Sequence, residues 1–169
     1  MDQQNHLLEI LSALSNAKVE YIVAGGVAAV LQGVERATMD LDISLLLSAE
    51  NVARFLSVMD GLGMIPRVPV PGSVLAEPEK VRAMVEQKKA LVFTFVHPNT
   101  PFKQIDVFIA AHLSHQNLIG GTEEKRVGGI TLKVLTKQKL LELKKGIVPP
   151  RDKDTVDIKA LEKLLQGKK

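Results

Sequence analysis

Asp40 and Asp42 stand one residue apart at the head of an apolar run, DLDISLLL. In a strand, residues two apart share a face. The two carboxylates therefore project together, and a pair of hard oxygen donors at that spacing suits Mg²⁺. Upstream, the apolar strand Tyr21-Ile22-Val23 runs into Gly25-Gly26, and a helical segment follows. Paired glycines at a strand-to-helix junction let a phosphate approach bare backbone N–H groups at a helix N-terminus. A phosphate cradle beside a carboxylate pair reads as a nucleotide-and-metal site. A third acid, Asp106, sits in KQIDVFIA among Ile105, Val107 and Phe108. A carboxylate so flanked is costly to bury unless it is paired or metal-bound.

Other polar residues near these three have two readings each. Arg36, between the helix and the second strand, contacts phosphate or forms an ion pair at the helix C-terminus, where the macrodipole favours a cation. Thr38 positions Asp40 or a phosphate, or is a plain strand-entry residue. Arg151 and Lys153 reach the nucleotide or form surface pairs with Asp154 and Asp157. Lys144 and Lys145 read as solvent-facing. His6, His97, His112 and His115 make no metal-ligand pattern; His112-x-x-His115 lacks the H-E-x-x-H frame. With no cysteine and no G-x-S-x-G, covalent hydrolysis is disfavoured. The G-x-G-x-x-G and G-x-x-x-x-G-K-[S/T] phosphate loops are both absent.

The stretch GGVAAVLQGVERATMDLDISL resembles the nucleotidyltransferase superfamily that includes DNA polymerase β, and within it the small branch of AbiEii-like toxins of toxin–antitoxin pairs. Gly25, Gly26, Ala28, Gly33, Arg36, Thr38, Asp40 and Asp42 fill the places of that branch's GG-x-A, Gly and Arg-x-[Ser/Thr]-x-Asp-[Ile/Leu]-Asp pattern. Asp106 fits the third carboxylate, and RDKDTVDIKAL resembles the C-terminal helix that closes many such domains. The resemblance implies two Mg²⁺ ions, or Mn²⁺ in their place, about 4 Å apart. Asp40 and Asp42 would hold both, and Asp106 would hold one and accept the proton of an attacking hydroxyl. Gly25, Gly26, Arg36, Thr38 and Lys153 would bind the nucleotide.

The elements that must position these residues follow from the hydropathy pattern. A helical stripe (Leu7, Leu8, Leu11, Leu14) precedes the first strand at 21–24, and a helix spans 25–32. A strand at 41–47 leads to a helix capped by Ser48, with Val52, Phe55, Leu56 and Met59 on one side. Pro66, Pro69, Pro71 and Gly72 read as an irregular loop. A helix at 78–88 starts at Pro78. Strands at 90–96 and 103–109 form one hairpin, and 122–127 with 130–135 form another around Gly128-Gly129. Two helices, about 137–145 and 152–165, finish the chain. The order predicts a mixed α/β (α+β) sheet of the nucleotidyltransferase type with helices mainly on one face. A core over 1–135 and a helical extension over 136–169 would pack as one domain.

Of 169 residues, 46% are hydrophobic, enough for a core of that size. Net charge is +3. The basic residues gather after Lys133, a solvated helix face or a surface for phosphates. One Tyr and no Trp leave little to stack single-stranded bases. MDQQNHLLEI has no basic leader segment and no apolar run spans a membrane, so a cytoplasmic protein is expected. The expected activity is Mg²⁺-dependent transfer of an NMP from an NTP to a hydroxyl on RNA, protein or a small molecule. The alternatives are a non-catalytic nucleotide- or partner-binding module on the same fold, and a metal-dependent glycosyltransferase using Asp-x-Asp.

Overall fold

The computed structural model describes residues 3–167; Lys168 and Lys169, part of the basic C-terminal third, lie outside them. In chain order the elements are α1 (Gln3–Asn16), β1 (Tyr21–Ala24), α2 (Gly25–Leu31), β2 (Leu41–Leu45), α3 (Ala49–Gly61), β3 (Ile65–Pro66), α4 (Pro78–Lys88), β4 (Val92–His97) and β5 (Thr100–Phe108). Then come α5 (His115–Leu118), β6 (Thr122–Val127), β7 (Ile130–Leu135), α6 (Lys137–Lys145) and α7 (Asp152–Gln166). The strands form one mixed sheet in the order β3-β4-β5-β2-β1-β7-β6. The β2–β5 and β1–β7 pairs are parallel and the rest antiparallel. This is the mixed α/β sheet that the sequence predicts.

Local chemistry sets most boundaries. Ser48 Oγ accepts from Asn51 N at 3.2 Å and starts α3. Thr136 Oγ1 does the same for α6 through Lys139 N, also at 3.2 Å. Pro78 opens α4, and Lys89, at φ 56°, closes it in the left-handed conformation. Gly128 and Gly129 both take positive φ, as the two-residue β6–β7 turn requires.

Alternation then divides the sheet. Leu41, Ile43 and Leu45, with Phe93, Phe95, Ile105 and Val107, are buried. Phe55 of α3 meets Phe95 edge-on, ring centres 5.3 Å apart. Lys103, on the same side of β5, reaches Glu9 of α1. The opposite side of β2, β5 and β4 carries Asp42, Asp106, Thr94 and Gln104, all half-buried.

The proline-rich segment departs from its irregular reading. Ile65 and Pro66 pair with Val96 and Phe95 at the sheet edge. A 3-10 turn at Gly72–Ala76 then seats Val74 and Leu75 in the core. Gly72 permits this, since a Cβ there would lie 2.7 Å from Leu56 Cδ2 and 3.1 Å from Phe95 Cζ. No period-2 or period-3.6 signal marks so short a strand or turn. The C-terminal helices also differ in one respect. Lys144, expected at the surface, is buried, and so are Asp154 and Asp157. Charge attraction inside the fold outweighs the solvation that places most lysines outside.

Candidate active site

The two acid-bearing strands lie side by side. Asp42 of β2 is in register with Asp106 of β5, and on its other flank with Ala24, the last residue of β1. Asp40 is half-buried one residue ahead of β2. The sheet itself thus brings the Asp-x-Asp pair and the third acid to one place at the end of β1, where the glycine turn begins. The resemblance implies that the strand of the third acid lies beside the Asp-x-Asp strand, and the parallel β2–β5 pairing has Asp42 opposite Asp106.

Asp42 and Asp106 stand opposite each other on neighbouring parallel strands, and each feels the other's charge. Burial pushes the Asp42 carboxyl up to about 7, reinforced by the charges of Asp106 and Asp40 and opposed by Lys153. Asp40 is raised as well, by burial and by Asp106, against the pull of Lys153 and Arg67. Neighbouring carboxylates in so buried a place resist carrying all their charges at once. Among the described residues, no three His, Cys, Asp or Glu side chains stand ready-arranged as metal ligands. The chemistry of the donor set does fit a hard divalent cation: three carboxylates whose mutual repulsion a cation would relieve.

Gly25 is shaped by Asp42. Its φ is +58°, and a Cβ built on it would sit 1.9 Å from Asp42 Oδ2. A Cβ on Gly26 would lie 2.6 Å from both Arg36 Nη2 and Thr38 Oγ1. The paired glycines thus make room for three polar side chains at the first turn of α2, whose N-cap, Ala24, provides no side-chain bond. Gly25→Ala is expected to lower stability through left-handed strain of about 1–2 kcal/mol plus displacement of Asp42. In an Asp42→Ala background the penalty should shrink towards the strain alone. Melting curves of the two singles and the double variant check this; equal penalties in both backgrounds would mean that Gly25 does not answer to Asp42.

Arg36 forms an ion pair with Asp157 of α7 while its guanidinium stays against Gly26. Its Nε lies 2.8 Å from Asp157 Oδ1, and Nη2 donates to Oδ2 at 3.1 Å. Lys144 Nζ reaches Asp157 Oδ2 at 2.8 Å and Asp154 Oδ1 at 3.6 Å. Arg151 clasps Asp154 through Nε at 2.7 Å and Nη2 at 3.0 Å. The expected surface pairs of Arg151 and Lys153 are therefore only partly right. Asp154 and Asp157 are completely buried, and Asp157 pairs with Arg36 and Lys144. Lys153 is exposed, yet its charge is felt by Asp40 and Asp42.

Three residues absent from the sequence reading complete the site. Thr94 Oγ1 donates to Asp106 Oδ1 at 2.6 Å, and Gln104 Nε2 donates to Oδ1 and Oδ2 at 3.1 and 3.2 Å. Arg67 Nη2 donates to Gln104 Oε1. The available signal was Gln104 two residues before Asp106, on the same strand face. Thr94 needed the hairpin register, and Arg67 the unforeseen β3. An apolar cavity of about 370 Å³, lined by Leu47, Leu75, Val81, Val85 and Ile109 among others, opens beyond the C-terminal ends of β2 and β5 and includes none of the acids.

No family model matches the chain, and no curated protein sequence matches it. Solved structures do. Lincosamide antibiotic adenylyltransferase LnuA, bound to lincomycin, superposes with a TM-score of 0.63 at 17% identity, over 95% of this chain and 96% of that one. The antibiotic-resistance factor ANT(2'')-Ia in solution gives 0.61 at 15%, over 98% and 85%. Its complex with adenylyl-2"-tobramycin gives 0.57 at 14%, over 95% and 91%. The fold is that of these nucleotidyltransferases. Among the described residues no helix is long and apolar enough to cross a membrane.

Proposed function

We propose that this protein is a nucleotidyltransferase that moves a nucleoside monophosphate from an NTP to a hydroxyl of a small-molecule acceptor. The observation that carries the reading is the register of Asp42 with Asp106 beside the Gly25-Gly26 turn. The likeness to adenylyltransferases whose ligands are antibiotics supports a small-molecule acceptor over RNA or protein, and over a toxin–antitoxin role.

Asp40, Asp42 and Asp106 would hold divalent cations, Mg²⁺ or Mn²⁺. Bound there, the cations would neutralise the triphosphate and acidify the attacking hydroxyl. The chain's own groups do the rest. Gly25 and Gly26 keep the first turn of α2 open to phosphate. Lys153 adds positive charge next to the acids. Asp106, steadied by Thr94 and Gln104, accepts the acceptor's proton as its oxygen bonds to the α-phosphorus and the bond to pyrophosphate breaks. Catalysis of this kind is mostly positioning and charge neutralisation.

The test is incubation with each α-labelled NTP, Mg²⁺ and a panel of lincosamides, aminoglycosides and bulk RNA. Label should appear on a small molecule, with release of one pyrophosphate per transfer. The reading fails if no NTP releases pyrophosphate and none shifts the melting temperature in the presence of Mg²⁺. A melting shift without pyrophosphate release on any acceptor would favour the non-catalytic binding module instead.

A further inference from the structure

Asp106 is the most heavily supported of the three acids. A carboxylate offers about four acceptor positions. Three of them receive donors from its own side of the sheet: the Thr94 hydroxyl and the bifurcated Gln104 amide. Thr94 is in register with Asp106 on β4, and Gln104 is two residues away on β5, so both emerge on the face that carries the carboxylate. The position that remains is open to a ligand.

The orientation of Gln104 follows from its two neighbours. Its Oε1 accepts from Arg67 Nη2, and its Nε2 donates to Asp106. Turning the amide over would set an oxygen against a carboxylate and an NH₂ against a guanidinium. Arg67 is itself fixed at the backbone, where its N–H donates to the Thr94 carbonyl at 2.9 Å. A continuous chain of donors therefore runs Arg67, Gln104, Asp106, with Thr94 bracing both ends.

This chain lies on the side of the acids away from the glycine turn. Across the sheet the order is the Gly25 turn after β1, then Asp42 on β2, Asp106 on β5, Thr94 on β4 and Arg67 next to β3. Strands are about 4.8 Å apart. Arg67 thus stands four strands from the phosphate cradle.

We propose that Thr94 and Gln104 are positioning residues for the transfer reaction. They hold the Asp106 carboxylate in one orientation, with its remaining acceptor position open to a divalent cation or to the acceptor hydroxyl, and Arg67 braces Gln104 from the sheet edge. This rests on the proposed nucleotidyltransferase activity. Both side chains donate to the Asp106 carboxylate, so their loss acts through Asp106. Residues that orient a ligating or reacting carboxylate typically cost about 10–100-fold when removed.

The experiment compares the parent with Thr94→Val, Thr94→Ser and Gln104→Leu in three measurements: melting temperature, transfer kinetics and Mn²⁺ affinity by titration. Thr94→Val and Gln104→Leu should keep the parent's melting temperature and its KM for NTP. Their kcat should fall about 10–100-fold, and Mn²⁺ should bind several-fold more weakly. Thr94→Ser, which restores the hydroxyl, should recover both. If one variant fails to fold, the other carries the comparison, since the two support the carboxylate from different strands. A parent that transfers, with both variants at its kcat and Mn²⁺ affinity, overturns the inference and leaves the activity standing. A uniform loss that tracks melting temperature, unrelieved in Thr94→Ser, also overturns it by showing a merely structural role. A parent that neither binds Mn²⁺ nor transfers removes the activity and this inference together.

Discussion

Asp42→Asn is expected to abolish the proposed transfer and, without ligand, to make the protein more stable at pH 8 while leaving it close to the parent at pH 5. The Asp42 carboxyl has an ordinary value of 3.8 and is pushed up to about 7 in the fold. The folded state therefore holds this proton more tightly than the unfolded chain does. Its stabilising contribution is complete below the ordinary value and disappears as pH rises from about 4 through about 7. Asp40, also raised, slopes the same way. The gap at Asp42 is worth of the order of 4 kcal/mol as an upper limit. At about 2–4 °C per kcal/mol for a chain of this size, the difference in melting temperature should be several degrees at pH 8. The asparagine has no charge to strand beside Asp106, so its pH profile should be flatter. Mg²⁺ with NTP should reverse the ranking. Cations bound only to the folded parent stabilise it by mass action, and the variant lacks one of the carboxylates that would hold them. Parallel pH profiles for the two proteins would show that Asp42 carries no strain. An equal ligand-dependent rise in both would place the cation elsewhere.

The acids, the glycine turn and nearly every helix and strand were legible because each depends on local spacing. Asp40 and Asp42 share a face by strand geometry alone. Ser48, Pro78 and Gly128-Gly129 announce their elements by cap and turn chemistry. Asp106 was legible for a different reason, as an unexplained charge in an apolar strand. What could not be read were interactions set by register between distant segments. Thr94 sits opposite Asp106 only because the β4–β5 hairpin pairs as it does. Arg67 reaches Gln104 only because Ile65 and Pro66 join the sheet edge. Lys144 and Asp157 looked like members of an ordinary charged helix surface. Their burial depends on α6 and α7 closing on each other and on Arg36, more than a hundred residues earlier in the chain. Helical periodicity says which residues share a side; it does not say that a charged side will face inward.

That buried network gives the largest stability effect expected away from the acids. Asp157→Ala should lower stability by about 3–5 kcal/mol, the usual cost of removing one partner from a buried ion pair. The reason is what it leaves behind. Lys144 is buried and would keep only Asp154, at 3.6 Å, while Arg36 would lose its carboxylate altogether. Replacing Lys144 as well should recover part of the loss, because Lys144→Met in the Asp157→Ala background removes the stranded ammonium. Thermal unfolding of the singles and the double gives the coupling; simple additivity would mean that the network is not a unit. The network should also appear in the acid limb. Burial alone would raise the Asp154 carboxyl, but hydrogen bonds and charge from Arg151, with the charge of Lys144, outweigh it and hold the group below the ordinary carboxylate range. A lowered carboxyl contributes stability above its unfolded value and loses it as pH falls through the folded one. Stability should therefore climb with pH over the acid limb, where Asp154 ionises, and then decline towards neutrality as Asp42 ionises. The effect should reach the site as well. Arg36 lies over Gly26 and beside Thr38, and Asp157 fixes its guanidinium there. An Asp157→Ala protein assayed well below its melting point should bind NTP more weakly than the parent. Unchanged affinity in a destabilised protein would confine the network to holding α6 and α7 on the sheet.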